Sequence, residues 1–229
     1  MTLAIGFLLF PKVQQLDLTG PYEVFASLPD AQVHLVAATP ETVIASTGLR
    51  LTPTATFADC PPLDVFCIPG GAGVNAVLTD ARTLGFVRQA AASARYLTSV
   101  CTGALVLGAA GLLRGKRATT HWNAHDLLAF YGAIPVAARV VRDGNLLTGG
   151  GVTAGIDFAL TLVAELAGQA AAEAIALSLE YAPAPPFDAG TPDRADPAIL
   201  AAVRARTASV RQERESLAAA WAARSGVGD

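Results

Sequence analysis

Charge is scarce in this chain. Asp, Glu, Lys and Arg make up 15% of its 229 residues, and the formal net charge is -3. That balance supplies no basic surface for a phosphate backbone or an anionic lipid, so neither nucleic acid nor membrane is an expected partner, and small neutral or weakly charged molecules are. Thiols are few as well. Cys60, Cys67 and Cys101 form an odd set with no CxxC spacing, which counts against a disulfide framework and fits a reducing, cytoplasmic compartment. Histidine is limited to His34, His121 and His125. The last two stand one helical turn apart, but HWNAH lacks the glutamate of HExxH and no further Cys or His lies at ligand spacing, so no metal is expected. No stretch reaches membrane-span length without Gly, Pro or charge, and the opening MTLAIGFLLF stops at Pro11 and Lys12 with no basic leader or small-residue cleavage site. The chain therefore reads as mature and not membrane-inserted.

Apolar side chains, by contrast, make up 52% of the chain, enough for a large core. Residues 4–10, 32–38, 63–68 and 95–100 read as buried strands, and 42–56 as short, partly exposed strands or a hairpin. Helices are expected after Thr19-Gly20 with Pro21 at the first helical position, over 80–94 with Asp80 as cap, from Thr102 onward, over 123–131, and over 151–168. RATTHW reads as a short strand ending at His121, and Asp143-Gly144 as a hairpin turn. Strands alternating with helices predict an α/β sandwich of three layers, a mostly parallel sheet with helices on both faces. A Pro-rich loop at 182–197 leads to a last helix, 197–222, whose stripe Leu200, Val203, Val210, Leu217 and Trp221 is buried on the body or on a partner subunit. One domain spanning 1–229, with its core at about 3–182, is expected.

Chemistry concentrates at strand-to-helix turns. In SVCTGA (99–104) a cysteine follows a buried strand and precedes a helix among small neighbours, the pattern of a strained nucleophile elbow. Free N–H groups at the helix start are expected to depress the Cys101 thiol below its ordinary value of ~8.5. Cys67, inside the apolar run VFCIPGG, reads as a structural cysteine, and Cys60 as a loop residue. Pro69-Gly70-Gly71 ends a strand where ligands of open α/β sheets bind. Asp17, in LDLTGP, is either a capping carboxylate or an acid sharing a proton with the thiolate. His121 is a base, an orienter or a core histidine. TGGGVTAGID (148–157) is a third glycine-rich turn, with no P-loop lysine and no GxGxxG.

A first-strand acid, strand–PGG, strand–Cys–helix, ATTHW and TGGGVTAGID, in that order over about residues 3–182, resemble the ThiJ/PfpI superfamily. That resemblance implies a flavodoxin-like sandwich of the class I glutamine amidotransferase type, a homodimer, and a reactive cysteine at Cys101. Within it, FLLFPKVQQLDLTGP, TFADCPPLD, VCTG, VVRDGNLLTGGG and LEYAPAPPF resemble the branch that hydrates isocyanides. Thr102, where many relatives carry histidine, and Asp17, where many carry glutamate, agree with that branch. The resemblance then implies a catalytic set of Cys101, Asp17 and Thr102, with Gly70, Gly71, Gly150, Val152 and His121 around the substrate and no metal or organic cofactor. Gly71 N–H and Thr102 hold the thiolate or the intermediate in this reading. A glyoxalase- or deglycase-like hydrolase of small carbonyls and a redox- or ligand-sensing domain are the competing readings. Related domains also begin some AraC-type regulators, but here fewer than fifty residues follow the core, with no basic cluster.

Overall fold

The computed structural model describes residues 2–226. In chain order its elements are β1 (Leu3–Leu8), α1 (Gln15–Ala26), β2 (Ala31–Ala37), β3 (Val43–Ile44), β4 (Arg50–Leu51), β5 (Ala55–Thr56), β6 (Val65–Ile68), α2 (Val74–Val77), α3 (Ala81–Ser93), β7 (Tyr96–Val100), α4 (Gly103–Ala109), β8 (Arg117–Ala118), a 3-10 segment (Trp122–Tyr131), β9 (Ile134–Pro135), β10 (Val140–Asp143), β11 (Leu146–Gly149), α5 (Ala154–Ala167), α6 (Gln169–Ser178) and α7 (Pro197–Ser225). Seven strands form one sheet in the order β10-β11-β7-β6-β1-β2-β5. Every neighbouring pair is parallel except β10–β11, and helices cover both faces, the flavodoxin-like sandwich expected. The central strands are buried on both faces, as a parallel sheet between helical layers requires: β6 and β7 are buried along their full length.

Several local expectations hold. Asp80 caps α3 by accepting from the N–H of Arg82 and Thr83. Asp143 and Leu146 pair across a two-residue turn with Gly144 at φ 64°. Others are corrected. Helix α1 starts at Gln15, so Pro21 lies inside it and Asp17 in its first turn, not before it. Tertiary packing outweighs the proline signal: a Cβ on Gly155 of α5 would stand 3.0 Å from Pro21 Cδ, so the two helices meet through small residues there. RATTHW is strand only over β8. His121 instead caps the 3-10 segment, its Nδ1 accepting from Asn123 N–H at 3.2 Å. Helix α6, absent from the sequence reading, follows α5 after a break at Gly168, whose φ of 91° a continuous helix does not contain.

The α7 stripe is used within the chain. Trp221 Nε1 donates to Ala109 O at 3.0 Å, its ring lies 5.1 Å from that of Tyr131, and Ala218 is buried. Leu217 and Trp221 join the main hydrophobic cluster. No helix among the described residues is long and apolar enough to cross a membrane.

Candidate active site

The carboxyl ends of β1, β6, β7 and β11 open on one side of the sheet, where doubly wound folds bind ligands. Cys101 follows β7 at φ 53°, a left-handed conformation that costs a side-chain-bearing residue about 1–2 kcal/mol. The surrounding backbone holds it there. Cys101 N–H is shared between Gly149 O and Gly150 O, at 3.1 and 2.8 Å, and its own carbonyl accepts from Thr120 Oγ1 at 2.6 Å. Gly103 completes the elbow, because a Cβ at that position would lie 2.0 Å from Ile68 O. Gly150 is therefore part of the elbow's support, its carbonyl turned to Cys101 N–H, while its N–H donates to Arg139 O.

Asp17 reaches the elbow from α1 and is fully buried. Its Oδ2 accepts from Gly70 N–H at 2.9 Å, its Oδ1 is buried without a hydrogen-bond partner, and the carboxyl and the Cys101 thiol are near enough to shift each other's titration. Gly70 N–H and Gly71 N–H are both already engaged, the second with Thr102 Oγ1 at 3.1 Å. Gly71 N–H is thus turned to Thr102 and not to the thiolate, which corrects the role expected of it. A side chain at Gly70 is impossible without movement: its Cβ would stand 2.6 Å from Thr102 N and 2.8 Å from Asp17 Oδ2. The bare backbone of residue 70 is what lets the carboxylate and the elbow approach each other. The Thr102 hydroxyl is taken by Gly71 N–H, and the Thr102 N–H acts on the Cys101 thiol by lowering it.

Electrostatics depart from expectation. Burial pushes the Cys101 thiol above its ordinary value, the Asp17 charge adds to that, and the Thr102 N–H and the Arg214 charge only partly oppose it. Burial likewise pushes Asp17 up to about 7, against the lowering effect of Gly70 N–H and the thiol. A helix start lowers a thiol only while water or dipoles replace what burial removes, and here burial dominates. Two adjacent buried acids do not both ionise readily, so near and above neutrality the pair shares one proton and one negative charge. Burial, with the Asp17 charge adding to it, pushes Cys67 up to about 12, in keeping with a structural thiol inside β6. The described cysteines are all free.

The elbow opens into a cleft of about 290 Å³ whose walls include Cys101, Thr102, Gly71, His121, Val152 and Arg214. Burial and the Arg214 charge push His121 down, so its neutral ring, accepting at Nδ1, carries its proton on Nε2. Val152 and His121 also border a second cavity of about 660 Å³, which Gly150 lines. The structure thus brings Cys101, Asp17, Thr102, Gly70, Gly71, His121 and Val152 together and leaves Gly150 behind the elbow. Sequence reasoning missed the contribution of α7. Arg214 and Val210 form a wall of the cleft, and Asn75 of α2 holds that wall in place through Val210 O, Glu213 Oε2 and Arg214 Nε. Position 214 falls four residues after Val210 and three before Leu217, on the helical stripe itself; that spacing was the available signal.

The family model described as the DJ-1/PfpI family matches residues 4–165. Isonitrile hydratase of Pseudomonas putida is 67% identical over 208 residues, 91% of either chain. The crystal structure of a ThiJ/PfpI family protein from Pseudomonas syringae superposes with a TM-score of 0.93 at 46% identity, covering 95% of this chain and 91% of that one. The HTH-type transcriptional regulator GbdR of Pseudomonas aeruginosa is 31% identical over 188 residues, which are 78% of this chain but 50% of the regulator. With the parallel sheet, the left-handed cysteine elbow and the match across most of its length, the chain belongs to the DJ-1/PfpI family.

Proposed function

We propose that this protein hydrates isocyanides to N-substituted formamides, with Cys101 as nucleophile and Asp17 as the group that carries the proton. The observation that carries the reading is the buried Asp17–Cys101 pair, in a chain 67% identical to an isonitrile hydratase over 91% of its length. The regulator relative supports a sensing role less well, matching at 31% over half its own length.

The terminal carbon of R–N≡C accepts a nucleophile only as a proton is delivered to it. With the shared proton on Asp17 and the charge on sulfur, Cys101 Sγ bonds to that carbon while Asp17 protonates it, giving the thioimidate Cys–S–CH=N–R. Water then adds across C=N, its hydroxyl bonding to carbon while its proton passes by way of the Asp17 carboxylate to nitrogen. Collapse of the tetrahedral adduct breaks the C–S bond, releases R–NH–CHO and returns the thiol proton to the pair. Thr102 N–H steadies sulfur when it is charged, and Val152 supplies apolar wall to the substituent. His121, neutral and donating from Nε2, orients the substrate at the cleft. No step in this sequence calls for a metal or an organic cofactor. The chain acts as a single domain in this reading, α7 included, and its free thiol suits a reducing, cytoplasmic setting. The family resemblance supports a homodimer, although the α7 stripe, packed within its own chain, gives that no separate support. Native mass spectrometry at the monomer mass would remove the dimer.

The test is formamide production from an aryl isocyanide, followed by absorbance, for the parent beside Cys101→Ala and Asp17→Asn. Turnover by the parent alone is expected. Methylglyoxal consumption without isocyanide turnover would point to the small-carbonyl hydrolase instead.

A further inference from the structure

We propose that Arg214, carried by α7, sets where the charge of the Asp17–Cys101 pair resides, holding it on sulfur and the proton on the carboxylate. This rests on the catalytic pair described above but not on the identity of its substrate. Arg214 touches no reacting atom and is a positioning residue.

Geometry carries the inference. Arg214 is only 7% exposed and lines the same cleft as Cys101. Its side chain is fixed at two points, Nε donating to Asn75 Oδ1 at 2.8 Å and one terminal nitrogen to Gly71 O at 3.2 Å. Asn75 is itself 6% exposed and saturated by α7, its Nδ2 donating to Val210 O at 3.1 Å and Glu213 Oε2 at 2.8 Å. Two neutral oxygens thus hold the guanidinium, and among the described residues no carboxylate lies within ion-pair distance of it. A buried cation without a counter-ion is costly unless a neighbouring anion offsets it. Asp17 is fully buried and is not among the groups lining the cleft. Arg214 and Cys101 share that lining, so the cation favours charge on sulfur over charge on the carboxylate. The balance is simple: the S–H bond breaks, an O–H bond forms on Asp17, and the negative charge passes from oxygen to sulfur.

The other charged or titratable groups near Cys101 do not duplicate this. Arg211 on α7 is met by Asp126 and Glu215. Arg206 is exposed on the cleft wall. His121 is neutral, and Tyr131 and Cys67 are kept protonated by burial. Glu213, beside Arg214 in sequence, accepts from Asn75 and acts on Arg214 only from beyond ion-pair distance.

The test is the pH profile of Cys101 alkylation by iodoacetamide, read at that peptide by mass spectrometry, with Cys60 as internal reference. Parent, Arg214→Met, Arg214→Lys and Asn75→Ala are compared, each checked for folding by circular dichroism. Arg214→Met is expected to slow Cys101 alkylation near neutral pH about tenfold, moving the profile up by about one pH unit, with Cys60 unchanged. Arg214→Lys restores most of the rate, and Asn75→Ala, which releases the guanidinium, shifts the profile in the same direction by less. A folded Arg214→Met with the parent's profile would overturn the proposal, as would Arg214→Lys falling as far as Met. Should Arg214→Met not fold, the Asn75→Ala profile decides alone. Alkylation needs no isocyanide, so a shifted profile in a protein that hydrates none retains this inference while removing the proposed substrate.

Discussion

Replacing Asp17 by asparagine removes a buried acid whose burial raises it from 3.8 to about 7. A carboxyl that binds its proton more tightly in the folded chain stabilises that state fully below about 3.8. The contribution is lost as pH rises toward about 7 and stays lost above it. At about 1.4 kcal/mol per pH unit, the interval corresponds to roughly 4 kcal/mol. Asparagine is nearly isosteric, its Oδ1 can still accept from Gly70 N–H, and it leaves the site without the negative charge that the Asp17–Cys101 pair buries above about 7. Asp17→Asn should therefore lose hydratase activity and yet gain stability on the alkaline side. Against the parent, the gap in unfolding free energy is expected near zero at pH 4 and close to roughly 4 kcal/mol at pH 8.5, which in a chain of this size raises Tm by about 10 °C. Urea titrations at the two pH values under reducing conditions, with thermal melts beside them, measure it. A gap of the same size at both pH values would show that Asp17 is not held as a raised acid, and the proton-carrying role would go with it.

Four further outcomes follow from the same geometry. The hydration rate should rise with pH through about 7 as the Asp17–Cys101 pair gives up its first proton, and a rate falling over that range in stopped-time assays contradicts the monoanion as the active form. Gly70→Ala, whose Cβ would meet Thr102 N at 2.6 Å, should cost about 1–3 kcal/mol in denaturant unfolding and most of the activity by separating the pair. Trp221→Ala removes the bond to Ala109 O and the packing on Tyr131. It is expected to cost about 3 kcal/mol and, by loosening α7, to slow Cys101 alkylation. His121→Asn keeps a good cap for the 3-10 segment and should raise KM more than it lowers kcat; a collapse of Cys101 alkylation in this variant would make His121 a base.

The elbow was legible because two signals coincide at one place: an apolar run ending at Val100 and small residues on both sides of Cys101. Either alone reads as an ordinary core strand or turn. The place of Asp17 after the first strand marks it in the sequence, but the start of α1 does not show there, since Pro21 is a helix-start signal only where packing does not ask for a small, flat contact with Gly155. The direction of the thiol is hidden for a related reason: sequence shows donors at a helix start but not how completely the site is buried. Arg214 escaped notice because it lies in a charge-rich helix where arginine normally faces water, and 113 positions separate it from the cysteine whose cleft it shares. Only the docking of α7 turns that face inward. The glycine roles were half legible. PGG marked the right turn, but that its N–H groups serve Asp17 and Thr102 rather than a ligand is a matter of register between loops.

The proposed hydration passes through a covalent bond between Cys101 Sγ and the isocyanide carbon. Quenching the parent in acid during turnover of an aryl isocyanide, then measuring intact and peptide masses, tests it most directly. A fraction of the chain heavier by the mass of the isocyanide is expected, with the addition on the Cys101 peptide, and no such species in Cys101→Ala. Continued formamide production by Cys101→Ala, or an adduct confined to Cys60, would contradict it.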